Sequence, residues 1–225
     1  MILVFDLDDT LYPEITFVKS GLKEVSLFLN SKFGIEKESA YSQMYKYLRM
    51  HGRGNVFNNI LKTHNIYTKK NLNKCISVYR KHNPQINLYN DAKKCIKRFK
   101  NYKKYIVTDG NTLVQRNKIK SLDLHESFEK IIPTYQYGIS FSKPSVNCFK
   151  MILRYENAKP ENMIYIGDNP YKDFVNLKKI GVKTIRILRG SFKDTFLDDA
   201  YEAHYSFKNL NGVTQKMIED IYEDR

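Results

Sequence analysis

Several features that would fix the class of a 225-residue chain at once are missing here. There are only three cysteines, Cys75, Cys95 and Cys148, far apart and without a CxxC pair. That sets aside a disulfide framework and a cysteine zinc site, and the thiols read as ordinary groups in a reducing compartment. No apolar run approaches the roughly 18 residues of a membrane span. The opening Met1-Ile2-Leu3-Val4-Phe5 is too short for a signal peptide, and acids follow at once. The expectation is a soluble, cytoplasmic protein with no membrane partner. Neither an internal repeat nor a low-complexity tail interrupts the chain. Aspartate is absent from residues 15–88, which hold ten Lys and three Arg against three Glu. That segment therefore carries +10 of the formal +14. Such a surplus concentrates anions nearby. A coding bias toward Lys, Asn, Ile and Tyr accounts for it as well as an anionic substrate does.

Hydrophobic residues make up 42% and charged residues 28%, the usual balance of a globular protein. Ile2–Phe5 is an apolar run that ends in Asp6 and reads as a buried strand. Similar runs lie at 105–107, 130–132, 163–166 and 184–188. Helical stripes fall between them, over 89–100, 111–121, a segment opened by Pro144, and 170–179 opened by Pro170. Gly181 is a C-cap candidate for the last. This alternation predicts an α/β fold, a parallel sheet covered by helices on both faces. Ligands on such sheets bind at the carboxyl ends of the strands, where Asp6, Thr108 and Asp168 all fall. Residues 15–85 break the pattern with four helical stripes and predict an inserted all-helical unit. The catalytic core is then expected over 1–14 and 86–225.

Asp6-Leu7-Asp8-Asp9-Thr10 carries the most chemistry. Carboxylates two residues apart on an extended segment point the same way. One can attack phosphorus, and the other can hold a proton for the leaving oxygen. Two acids this close need a cation or a shared proton, and magnesium suits carboxylates, water and phosphate oxygens. Thr108-Asp109-Gly110 offers a hydroxyl and backbone N–H groups to phosphate oxygens. Lys143-Pro144 supplies a compact positive charge for a phosphate and an aspartate together. In Gly167-Asp168-Asn169-Pro170-Tyr171-Lys172-Asp173, Asp168 can bind a metal directly. Asp173 can hold a metal-bound water or orient Lys143. Each piece also has a plain structural use, as a turn, a cap or a solvated charge.

Taken in order, DxDxT at 6–10, the strand ending in Thr108, Lys143-Pro144 and GDxxxxD ending at Asp173 resemble the haloacid dehalogenase superfamily. The resemblance spans nearly the whole chain. It implies a Rossmann-like sheet, Mg2+, and a C1 helical cap at 15–85. It also implies roles. Asp6 is the nucleophile and a metal ligand. Asp8 is the general acid and base, with its carbonyl on the metal. Thr108 and Lys143 hold phosphoryl oxygens. Asp168 ligates the metal and Asp173 supports it. Asp109 stands where many relatives have Asn, so its backbone N–H remains the phosphate contact and its extra charge is a departure. The acid at position 8 favours phosphate monoesters over carbon–halogen bonds, with a phosphomutase as the alternative. Arg49 and Arg53, beside a glycine-rich turn, are candidates to grip a second anionic group on a small phosphorylated metabolite. The local wording is similar to bacterial members of subfamily IA. A nucleic-acid binder on a hydrolase fold is the competing class, since 17 tyrosines and the charge suit stacking and backbone contacts. Against it, no nucleic-acid motif is present and the charge is diluted through helices.

Overall fold

The structure is a computed structural model that describes residues 1–223. The last two residues of the core segment expected over 86–225 lie outside the described ones. The chain divides into two compact units, Met1–Glu14 with the chain from Asn87 onward, and Ile15–Ile86.

The first unit is a parallel sheet with helices. Its strands are β1 (Ile2–Phe5), β2 (Lys103–Thr108), β3 (Lys130–Pro133), β4 (Met163–Gly167), β5 (Lys183–Ile187) and β6 (Tyr205–Phe207), in the order β3-β2-β1-β4-β5-β6. All five pairings are parallel. Every residue of β1 and β4 is buried, because central strands of such a sheet are covered on both faces. That is why they read as unbroken apolar runs. β1 lies between β2 and β4, with Phe5 opposite Ile106 on one side and Ile166 on the other. Chain order runs outward from there in both directions. An open sheet forms its ligand crevice at such a reversal, beyond the carboxyl ends. The expected α/β, Rossmann-like architecture is the one the chain adopts.

Helices α5 (Asn90–Arg98), α6 (Thr112–Ser121), α7 (Asn147–Tyr155), α8 (Val175–Lys179) and α9 (Gln215–Glu223) flank the sheet. Cys148, Phe149, Ile152 and Leu153 of α7 join Val4, Val107 and Tyr165 in one core cluster. The Phe149 ring meets Tyr165 edge to face at 5.0 Å. Burying a ring of this size contributes on the order of 2–3 kcal/mol. All three cysteines are buried and free.

Two helix starts differ from expectation. Residues 168–174 form a turn, and α8 begins only at Val175. Asp173 accepts from the backbone N–H of Asn169, and Asn169 accepts from that of Tyr171. These local side-chain bonds compete with helical ones and hold Pro170 in the turn. Likewise Lys143 and Pro144 lie in the loop before α7, not in its first turn. Gly181 does sit past α8 in the left-handed region, at φ +88°, with its N–H bonded to the Lys178 carbonyl.

The second unit is helical: α1 (Glu14–Phe33, its first residue in the sheet unit), α2 (Lys37–His51), α3 (Val56–Thr63) and α4 (Lys69–Lys81). Phe17, Leu22, Val25, Met44, Ile60, Leu61 and Cys75 form its buried face. Thr68 caps α4 by accepting from the Asn71 N–H at 3.0 Å. Gly52, at φ +74°, ends α2 in a conformation that side chains resist.

Candidate active site

Asp6 is the first residue past β1, and its N–H bonds to the Ile166 carbonyl at 2.8 Å, which ties it to β4. Asp168 follows the last residue of β4. Asp173 reaches back from the turn. Ligand atoms of these three buried acids lie within 4.8 Å of one another. Gly167 makes this approach possible: a Cβ there would stand 2.5 Å from Asp173 Oδ2. Three carboxylates that close repel each other. Burial, reinforced by Asp173, pushes Asp6 up to about 7 even though Lys143 pulls it down. Burial together with Asp173 and Asp6 pushes Asp168 up to about 9. A divalent cation relieves such a cluster, and three hard oxygen donors suit Mg2+. The residues present therefore fit the ion.

Lys143 is the counter-charge within the protein. Its Nζ lies 3.0 Å from Asp6 Oδ1 and 2.8 Å from Asp173 Oδ1, and it donates to Tyr165 Oη at 2.7 Å. Burial works against this ammonium, yet Asp173 and Asp6 hold its pKa well above the ordinary lysine value. Asp173, with Lys143, Tyr165 and the Asn169 N–H around it, is placed to fix the lysine's direction.

Asp8 stands apart from the three-acid group. Its carboxylate accepts from Lys118 Nζ at 2.6 Å, from Gln115 Nε2 at 3.0 Å and from the Tyr12 hydroxyl. Burial would raise its pKa, but Lys118 wins and lowers it. Gln115 and Lys118 are three apart on α6 and both almost fully buried. Sequence reasoning missed them. Their partner lies more than a hundred positions away, and no local pattern marks them.

Thr108 ends β2, and its buried Oγ1 finds no hydrogen-bond partner among the described residues. A buried hydroxyl left so is costly unless a ligand uses it. Asp109 accepts from Thr134 Oγ1 at 2.8 Å, from the Lys143 N–H at 3.1 Å and from Lys172 Nζ at 2.9 Å. Lys172 was also missed, being one lysine among many in the sequence. Arg49 and Arg53 are exposed residues of the helical unit, at the end of α2 and in the turn after it.

Fold and site together define a Rossmann-like core built around a cluster of acids at its switch point. The family model described as haloacid dehalogenase-like hydrolase matches residues 3–187. A glyceraldehyde 3-phosphate phosphatase of Methanocaldococcus jannaschii is 31% identical, over 99% of this chain and 98% of its own length. Its counterpart in Pyrococcus furiosus is 27% identical, over 100% and 95%. The crystal structure of a HAD phosphatase from Thermococcus onnurineus superposes with a TM-score of 0.61 at 21% identity, covering 96% of this chain and 97% of that one. The chain belongs to the haloacid dehalogenase-like hydrolases. No described helix is long and apolar enough to cross a membrane.

Proposed function

We propose that this chain is a Mg2+-dependent phosphatase of small sugar phosphates, with glyceraldehyde 3-phosphate as the first substrate to test. The observation that carries the reading is the cluster of Asp6, Asp168 and Asp173 at the sheet's carboxyl edge, with Lys143 paired to Asp6 and Asp173. Full-length relatives named for that activity support the substrate.

Asp6, Asp168 and the Asp8 carbonyl would hold the ion, with Asp173 behind them. Bound there, Mg2+ supplies charge compensation for the phosphoryl oxygens. Asp6 attacks phosphorus in line and becomes an aspartyl-phosphate as the P–O bond to the leaving group breaks. Lys143 and the Thr108 hydroxyl hold the equatorial oxygens, with the Asp109 N–H beside them. Asp8 gives its proton to the leaving oxygen. It then takes one from the water that hydrolyses the aspartyl-phosphate, releasing phosphate and restoring Asp6. Pairing with Lys118 opposes the first of these duties and favours the second. The helical unit over 15–86 acts as a C1 cap, and Arg49 and Arg53 are its candidate contacts to a second anionic group. A cytoplasmic setting fits a metabolite substrate.

The test is turnover of a panel of small phosphate monoesters with and without Mg2+. Metal-dependent hydrolysis that Asp6→Asn abolishes is expected. An unchanged rate in that variant would remove Asp6 as the nucleophile.

A further inference from the structure

Asp109 is an unfavourable neighbour for phosphate. It follows Thr108 directly, at the end of the strand next to β1, so its carboxylate and an incoming phosphate dianion carry charge of the same sign. The fold answers with three contacts from two connections, the one between β3 and α7 and the one after β4. Thr134, just past β3, donates its hydroxyl to Oδ1 at 2.8 Å. The backbone N–H of Lys143 donates to the same oxygen at 3.1 Å. Lys172, in the turn after β4, donates to Oδ2 at 2.9 Å. Of the three donors, Lys172 is the one that bonds the carboxylate through a charged group, while the Lys143 ammonium also favours its ionised form without bonding it. The Lys172 side chain is 31% exposed, against 11% for Asp109. Lys143 has its own ammonium committed to Asp6 and Asp173.

We propose that Lys172 is a positioning residue that acts through Asp109: their ion pair cancels the carboxylate's charge, so that the Thr108–Asp109 segment can accept a phosphate dianion. The inference rests on the phosphomonoester reading of the site. It makes the two residues a matched pair. A chain with neutral Asn at 109 does not need the lysine, and a chain with Asp there does. Lys172 also spans from the loop after β4 to the loop after β2, so the pair fixes the spacing of two sides of the cradle.

The test is a double-mutant cycle on the Mg2+-loaded protein, read as KM, kcat and the affinity for inorganic phosphate by calorimetry. Lys172→Met should raise KM and weaken phosphate binding together, by roughly 10- to 100-fold, the usual loss when a residue supporting a site group is removed. Its effect on kcat should be smaller. Asp109→Asn in the Lys172→Met background should bring both readouts back to within about threefold of wild type, which is near additivity error for a rescued pair. Lys172→Gln provides a second background should the Met variant fold poorly. A double variant no tighter than Lys172→Met alone would overturn the proposal, since neutralising Asp109 would then not replace what Lys172 does. Unchanged KM and phosphate affinity in both single Lys172 variants would also overturn it, leaving an ordinary ion pair. A wild-type protein that neither hydrolyses phosphate monoesters nor binds phosphate would sink the parent reading instead, a result distinct from both.

Discussion

Removing the divalent cation should make stability fall with pH, and Asp168→Asn should lessen that fall while destroying function. The cause is the unrelieved charge of the acid cluster. Folding raises Asp6 from 3.8 to about 7 and Asp168 from 3.8 to about 9. A raised carboxyl keeps its proton in the folded state after the unfolded chain has lost its own. Its contribution is intact below about pH 4 and is lost as pH rises through the folded value. For Asp6 that window is roughly three pH units, at about 1.4 kcal/mol each, or about 4 kcal/mol on its own. Asp168 costs a similar amount by neutral pH, and the two share neighbours, so they do not add. Bound Mg2+ keeps the cluster ionised and removes the penalty. In thermal unfolding followed by circular dichroism, the rise in Tm on replacing EDTA with Mg2+ should therefore grow from pH 5 to pH 8.5. For a chain of this size the growth is on the order of 5–10 °C. Asn at 168 cannot ionise, so that variant should be more stable than wild type in EDTA at neutral pH and should lose most of the Mg2+ gain. A metal effect that is flat or shrinks with pH, or an Asn variant less stable in EDTA, would refute the reasoning.

Lys118→Met removes the charge that holds Asp8 low, so the acid form of Asp8 should persist to higher pH. The alkaline limb of kcat/KM should move up by about 1–3 pH units, and a limb that stays put would exclude Lys118 as its cause. Thr108→Val deletes a hydroxyl without a partner among the described residues. Tm should hold or rise while phosphate affinity falls about tenfold, and equal losses of both in the same titration and melt would make the hydroxyl structural. Gly167→Ala drives a methyl group to 2.5 Å from Asp173 Oδ2, which Lys143, Tyr165 and Asn169 hold in place. Denaturant melts should show a loss of about 1–3 kcal/mol, with kcat lowered as Lys143 shifts.

The strands were legible because each central strand is a continuous apolar run closed by a residue of different chemistry: Phe5 by Asp6, Val107 by Thr108, Gly167 by Asp168. One cause, burial on both faces, produced both the pattern and the place where it stops. β6 escaped notice because Tyr205–Phe207 is a short, half-exposed edge strand with no such run. Asp168 and Asp173 were visible through spacing, but the turn between them was not. It depends on side chains bonding to backbone within the segment, which outweighed the helix-opening tendency of Pro170. Lys118, Gln115 and Lys172 were out of reach for another reason. Their partners lie 110, 107 and 63 positions away, and in a chain with 38 basic residues nothing local separates a buried lysine from a solvated one.

The most direct measurement is chemical trapping of the phosphorylated enzyme. Borohydride reduces an acyl phosphate on aspartate to homoserine, and peptide mass spectrometry then locates it. During turnover with Mg2+, homoserine is expected at position 6 and nowhere else, and Asp6→Asn should give none. Homoserine at Asp8 or Asp168, or undiminished turnover with no trapped residue, would contradict nucleophilic attack by Asp6.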